Sequence, residues 1–228
     1  MKIKKYFGQH FLINDTIAEK ITSSLNTKNS NKIIEIGPGK GALTKFLIEK
    51  NIFLKIIEID LDCIQFLNKE FGEMDIIHKD FLKIELNEVG FENYSIIGNF
   101  PYNISSQILF KIIENRNNII EVVGMFQKEV ADRICSGPKS RKYGILSVLM
   151  QAYFNCEQLF DVSSDNFNPK PKVNSSVIKF TRNKTKKLSC NHNRFIEIVK
   201  LGFSQRRKKL KNPLKKIINL NNLDLDII

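Results

Sequence analysis

Five near-continuous apolar runs constrain this chain most: "KIIEI" (32–36), "IFLKIIEID" (52–60), "MDIIH" (74–78), "YSIIGN" (94–99) and "IIEVVGMF" (119–126). Segments so apolar on both alternations have no face to offer water, so they predict strands buried on both sides, as in a parallel sheet. Helical spacing fills the gaps at about 41–50, 61–70 and 105–115, with further helices near 128–134 and 144–154. Two later strands, "CEQLFDV" (156–162) and "KVNSSVIKF" (172–180), have no long helix between them and predict an antiparallel, hairpin-like end. The expectation is an α/β chain whose open sheet binds ligands at one rim, outside the strand ends.

After Phe180 the composition changes. "TRNKTKKLSCNHN" is a polar, basic link, and residues 193–218 show helical spacing through Phe195, Ile198, Val199, Gly202, Phe203 and Leu210, with Pro213 marking a helix boundary. Two domains are expected, 1–182 and 183–228. The second carries 12 Lys+Arg against 3 Asp+Glu, the first 24 against 21, within a total of +12. A nearly balanced body with a basic appendage predicts a polyanionic partner, nucleic acid ahead of membrane. No run approaches the ~20 apolar residues of a membrane span, and "MKIKKYFGQHFLIND" lacks the apolar core of a signal peptide. Four scattered cysteines and three isolated histidines have neither zinc nor disulfide spacing. A reduced, cytoplasmic protein without a structural metal is expected.

"EIGPGKGALT" (35–44) is a strand, a glycine turn and a helix start. Gly37-x-Gly39-x-x-Ala42 fits a dinucleotide fingerprint, and Glu58 lies where an acid would accept from ribose hydroxyls. Asp80, after the third strand in "HKDF", is placed to accept from an adenine amino group. Glu35, in a strand buried on both faces, needs a partner; a cationic methionine end or a backbone hydrogen bond would each serve. A hydride-transferring enzyme would also need an acid–base side chain, and Tyr102 has no partner Lys at helical spacing. S-adenosylmethionine is therefore expected rather than NAD.

The fourth strand ends in "GNFPYNISS" (98–106), a corner without His, Cys or carboxylate. Methyl transfer from a sulfonium needs chiefly a positioned acceptor with an exposed lone pair. The Asn99 side-chain oxygen and the carbonyl of Phe100 or Pro101 can accept both N–H groups of an exocyclic amine, turning its lone pair towards the methyl. Pro101 stiffens the turn, and Tyr102 offers a ring for the base to stack on. "NFPY" resembles the Asn/Asp-x-Pro-aromatic motif of amino-methyltransferases. In order, "FGQHFLIND", "EIGPGKGALT", "IEID", "GNFPYNISS", "FQKEVADRI", "KYGILSVLMQ" and "FNPKPKVNSSVIKF" resemble the rRNA adenine N6,N6-dimethyltransferase family, specifically its KsgA branch.

The resemblance implies a Rossmann-like class I S-adenosylmethionine-dependent methyltransferase sheet with a small all-α C-terminal domain, shortened relative to the family. It implies cofactor contacts from His10, Leu12, Gly37, Glu58, Asp80 and Asn99; the family often has Asn where His10 stands, which favours a backbone role there. It implies that Tyr102 and Phe167 sandwich a flipped adenine, with core packing as the alternative for Phe167. Lys139, Arg141 and Lys142, and Arg206, Arg207, Lys208 and Lys209, are expected to meet RNA phosphates, the first three equally readable as a solvated loop. The expected reaction is dimethylation of two adjacent adenines in the 3′-terminal hairpin of small-subunit rRNA. The partner is a 30S assembly intermediate, with no DNA and no membrane, and the protein a monomer. Alternatives are a macrolide-resistance-type large-subunit rRNA methylase, a decayed assembly factor or, more weakly, a DNA adenine methylase.

Overall fold

The computed structural model describes residue 4 and residues 8–185 and 188–220. Seven strands form one sheet in the order β4-β3-β2-β5-β6-β9-β7: β2 (Lys32–Ile36), β3 (Phe53–Glu58), β4 (Ile76–His78), β5 (Tyr94–Asn99), β6 (Ile119–Gln127), β7 (Phe154–Val162) and β9 (Ser175–Arg182). The five strands from β2 to β6 run parallel, whereas β9 is antiparallel to both β6 and β7, between which it is inserted. The expected antiparallel, hairpin-like end is present as the β7–β9 pair, joined to the parallel strands through β9 rather than β7. Strand order reverses at β2, which has β3 on one side and β5 on the other, so the ligand-binding crevice lies above these strand ends.

Alternation along the strands divides the core. Ile34, Ile96 and Val122 face α4 (Ser105–Glu114), α5 (Lys128–Cys135) and α6 (Ile145–Gln151); Ile33, Ile97 and Val123 face α1 (Asp15–Ser23) and α2 (Thr44–Leu47). Each of these six residues is fully buried, which contributes about 1.5–3 kcal/mol per side chain. α3 (Leu61–Phe71) starts at Asp60, whose carboxylate accepts from the Asp62 N–H as an N-cap.

Three local expectations change. The helix expected over 41–50 is only the short α2, because Gly41 at φ +75° is outside the right-handed helical region. A two-stranded ribbon, β1 (Phe11–Leu12) with β8 (Phe167–Asn168), ties the N-terminal segment to the approach to β9. Beyond Arg182, the helical stretch splits into α7 (His192–Ser204) and α8 (Lys211–Leu220). Pro213 marks a helix boundary as expected: it lies in the first turn of α8, where a missing N–H costs no helical bond. Phe195, Ile196 and Val199 of α7 pack on the α4–α6 side of the core. The expected 183–228 unit extends, in residues 186–187 and 221–228, outside the described residues.

Candidate active site

The glycine turn, the ends of β3, β4 and β5, and residues 8–12 enclose a cavity of about 310 Å³. Each glycine of the turn answers a different demand. Gly37 (φ +64°) stands open above the cavity, and its N–H is donated to the Ile57 carbonyl at 2.9 Å. A Cβ on Gly39 (φ +57°) would lie 2.7 Å from the Phe11 ring, so only glycine lets the N-terminal segment lie across the turn.

Among the described residues, Glu58 is held by backbone alone. Its Oε1 accepts from the N–H groups of Ile59 and Asp60 at 2.7 and 2.8 Å, and its Oε2 from Gly39 at 3.2 Å. Burial pushes its carboxyl above the ordinary range, and the three donations oppose that rise. A carboxylate has about four acceptor directions, so Oε2 is the oxygen left for a ligand hydroxyl. Asp80 lines the same cavity and accepts from the Leu82 N–H at 2.9 Å. Leu12 lines it too, but is 5% exposed and packed into the core.

Glu35 is 1% exposed and lines the cavity. Thr44 donates to its Oε2 at 2.8 Å, while Oε1 is buried without a partner among the described residues. Burial raises its carboxyl to about 8, opposed by the Thr44 bond and aided by the nearby Glu58 charge. An orphaned buried acceptor at the cavity wall fits the ammonium of an amino-acid moiety.

The corner after β5 is wedged in place. Phe100 is 1% exposed and packs on Phe126, 5.1 Å between centroids. Gly98 and its register partner Gly124 make the room: a Cβ would meet the Phe100 ring at 2.7 Å on one and 2.3 Å on the other. With Phe100 anchored, Asn99 faces the cavity rim. Its Nδ2 donates to the His10 carbonyl at 2.9 Å, which leaves Oδ1 as the free acceptor. The Pro101 carbonyl accepts from the Ser105 hydroxyl and the Ile104 N–H, so of the two turn carbonyls expected to act, Phe100's is the one without a described hydrogen bond. The Tyr102 hydroxyl pairs with the buried Ser175 hydroxyl at 2.6 Å, and its ring stacks on the His10 imidazole.

The structure brings His10, Leu12, Gly37, Glu58, Asp80, Asn99, Pro101 and Tyr102 to one cavity. Phe167 is the exception and a correction. Register with Leu12 turns its ring into the core beside Ile21 and Val177, and at 3% exposure it has no free face for a base. Sequence reasoning also missed a clasp: Lys4 Nζ and Gln9 Nε2 both donate to the Asp60 carboxylate, at 2.5 and 2.8 Å, anchoring the N-terminal segment beside the cavity. Burial works against the Asp60 charge, but these donors hold its carboxyl below the ordinary range.

The basic residues lie elsewhere. Arg206, Arg207, Lys208 and Lys209 are exposed in the turn between α7 and α8, not on a helix. Arg206 donates to the carbonyls of Arg141 and Tyr143, at 3.1 and 2.7 Å, so this turn meets the 136–144 loop. Between them opens a cleft with Arg133 and Lys200, two cations not anticipated, on its wall. Lys142 is paired with Asp132 at 2.7 Å, and Lys139 is exposed at φ +75°. Among the described residues no helix is long and apolar enough to cross a membrane.

A family model described as ribosomal RNA adenine dimethylase matches residues 1–227. A protein of Flavobacterium johnsoniae named ribosomal RNA small subunit methyltransferase A is 48% identical over all of this chain and 88% of its own length. One of the same name from Cytophaga hutchinsonii is 46% identical over all of this chain and 89% of its own. Among solved structures, a dimethyladenosine transferase from Plasmodium falciparum superposes with a TM-score of 0.77 at 27% identity, covering 94% of this chain and 83% of that one. The 23S rRNA methyltransferase ErmE shares the fold with a TM-score of 0.72 at 24% identity, covering 90% and 84%.

Proposed function

The chain belongs to the ribosomal RNA adenine dimethylase family, and from that premise we propose that it transfers methyl groups from S-adenosylmethionine to N6 of two adjacent adenines in the 3′-terminal hairpin of small-subunit rRNA. The observation that carries this reading is the Asn99 amide. Its Nδ2 is committed to the His10 carbonyl, so Oδ1 is presented as an acceptor at the cavity rim.

The cofactor supplies a methyl on a sulfonium, with a neutral thioether as leaving group. The residues present fit it. Glu58 Oε2 would hold the ribose, Asp80 the adenine amino group and Glu35 Oε1 the ammonium, with Gly37 and the 10–12 segment close against it. Asn99 Oδ1 and the Phe100 carbonyl accept the two N6 hydrogens of the target, which withdraws the nitrogen lone pair from the ring and favours a tetrahedral nitrogen. The Tyr102 ring, fixed at its tip by Ser175, supports the base. The proton is lost to solvent after transfer, so the corner needs no strong base.

Arg206, Arg207, Lys208 and Lys209, with Lys139, Arg141 and Lys142, neutralise RNA phosphates without reading sequence. In this reading residues 1–182 are the catalytic domain and 183–228 a basic helical domain. The protein works as a cytoplasmic monomer on a 30S assembly intermediate. Incubation with labelled cofactor and unmethylated 30S or 50S particles tests the proposal: N6,N6-dimethyladenosine in small-subunit rRNA is expected, and label confined to large-subunit rRNA overturns it.

A further inference from the structure

We propose that the His10 imidazole is a stand-in for the target base: it lies on a face of Tyr102 that the acceptor adenine needs, and gives way when the RNA presents that base. The inference rests on the reading of Tyr102 as the acceptor platform. The two rings stack with centroids 5.4 Å apart and planes 25° apart, within the range of offset aromatic pairs. An imidazole offset over the ring at that distance occupies part of the face that a fully stacked base would need. Tyr102 cannot expose a fresh face by swinging out, because its hydroxyl is tied to Ser175, which is fully buried in β9.

His10 is built to leave. Among the described residues its side chain has one polar anchor, Nδ1 on the Pro169 carbonyl at 2.7 Å. Its backbone carbonyl, by contrast, holds Asn99. Rotation about the Cα–Cβ bond therefore frees the Tyr102 face while Asn99 keeps its orientation. Both rings line the cavity that contains Asn99, so exchange of imidazole for adenine places the new ring beside the Asn99 oxygen. Until then the stack covers apolar ring surface that would otherwise face water. His10 is thus a positioning residue that makes occupation of the platform competitive: a base must be delivered by bound RNA to displace it.

Two measurements test this on the full chain. Three histidines give few imidazole Cε1–H signals in proton NMR, and His10→Ala identifies one by its loss. That signal should carry the ring current of Tyr102 and move in Tyr102→Leu. Addition of adenosine 5′-monophosphate with S-adenosylhomocysteine should move it the same way, with the His78 and His192 signals in place. With unmethylated 30S particles, His10→Ala should lower the KM for particles by about 3–10-fold, the worth of a lost ring stack; His10→Phe, which keeps a ring, should not. A His10 signal indifferent to Tyr102→Leu or to the nucleotide overturns the proposal. So does a His10→Ala enzyme whose kcat collapses with KM unchanged, since the imidazole would then serve the reaction itself. If the wild-type chain leaves 30S particles unmethylated, the function proposed above fails, and the NMR titration still decides the stand-in.

Discussion

The cavity rim and the turn between α7 and α8 hold functional side chains in opposite ways. At the rim, Glu58 takes three backbone N–H bonds, Asn99 is fixed by the His10 carbonyl and Tyr102 by Ser175. In the turn, the exposed side chains of Arg207, Lys208 and Lys209 make no described bond, and only Arg206 is tied down, through two carbonyls. Chemistry at a nitrogen lone pair needs placement to fractions of an ångström, which only a rigid frame supplies. Attraction to a phosphate backbone falls off gently and tolerates motion. The protein ties side chains down where a bond is made and leaves them exposed where charge is met.

The sharpest way to break this contrast is at Asn99. Asn99→Ala should lower kcat by about 10²–10³-fold, as for loss of one preorganised transition-state partner, while RNA retention on filters persists. Retained turnover would mean that the corner has been misassigned. Next is the wedge beneath it. Gly124→Ala puts a methyl 2.3 Å from the Phe100 ring, so urea unfolding should show a loss of about 1–3 kcal/mol, with turnover falling as the corner shifts. On the loose side, replacing Arg207, Lys208 and Lys209 together by Ala should weaken RNA binding at every sequence and reduce the salt slope of log K by about 2–3. Its kcat at saturating particle should stay near wild type; a large fall would show that the turn does more than meet phosphates.

The last expectation concerns Glu35. Its folded-state carboxyl is raised to about 8 from an ordinary 4.5, so the native protein keeps a proton that the unfolded chain releases. This contribution to stability is fully present below about pH 4.5 and is lost as the pH rises through about 8. Glu35→Gln should flatten the melting-temperature profile across that window in the ligand-free protein. If Glu35 meets the cofactor's ammonium, calorimetry in buffers of different ionisation enthalpy should detect proton release on binding to wild type and none from this position in the variant.

Sheet and rim were legible because they are written in local patterns. Long apolar runs announce β2, β3, β5 and β6, and the polar residues at their ends announce the crevice. What was not legible depends on partners distant in the chain. The β1–β8 ribbon joins residues 11–12 to 167–168, each strand too short to have a pattern, and that register alone turns Phe167 inward. Ser175 has no local signal as the partner of Tyr102. Gly98 and Gly124 read as plain strand glycines until Phe100 is seen lying over both. Helix α2 shrank because helical spacing says nothing of the positive φ that the turn imposes on Gly41.

The insertion of β9 between β6 and β7 has a consequence in time. A ribosome delivers Tyr102 well before Ser175, 73 residues later, and β7 before the strand that must separate it from β6. Until residues 175–182 emerge, the β6 edge is unpaired, β7 has no strand to join, and the Tyr102 ring has no anchor at its tip. The long-range pairing of β9 with β6 is the slow, entropically costly part of such a topology. The nascent chain can therefore shape its crevice early, yet it acquires a fixed stacking platform only when its last strand has paired.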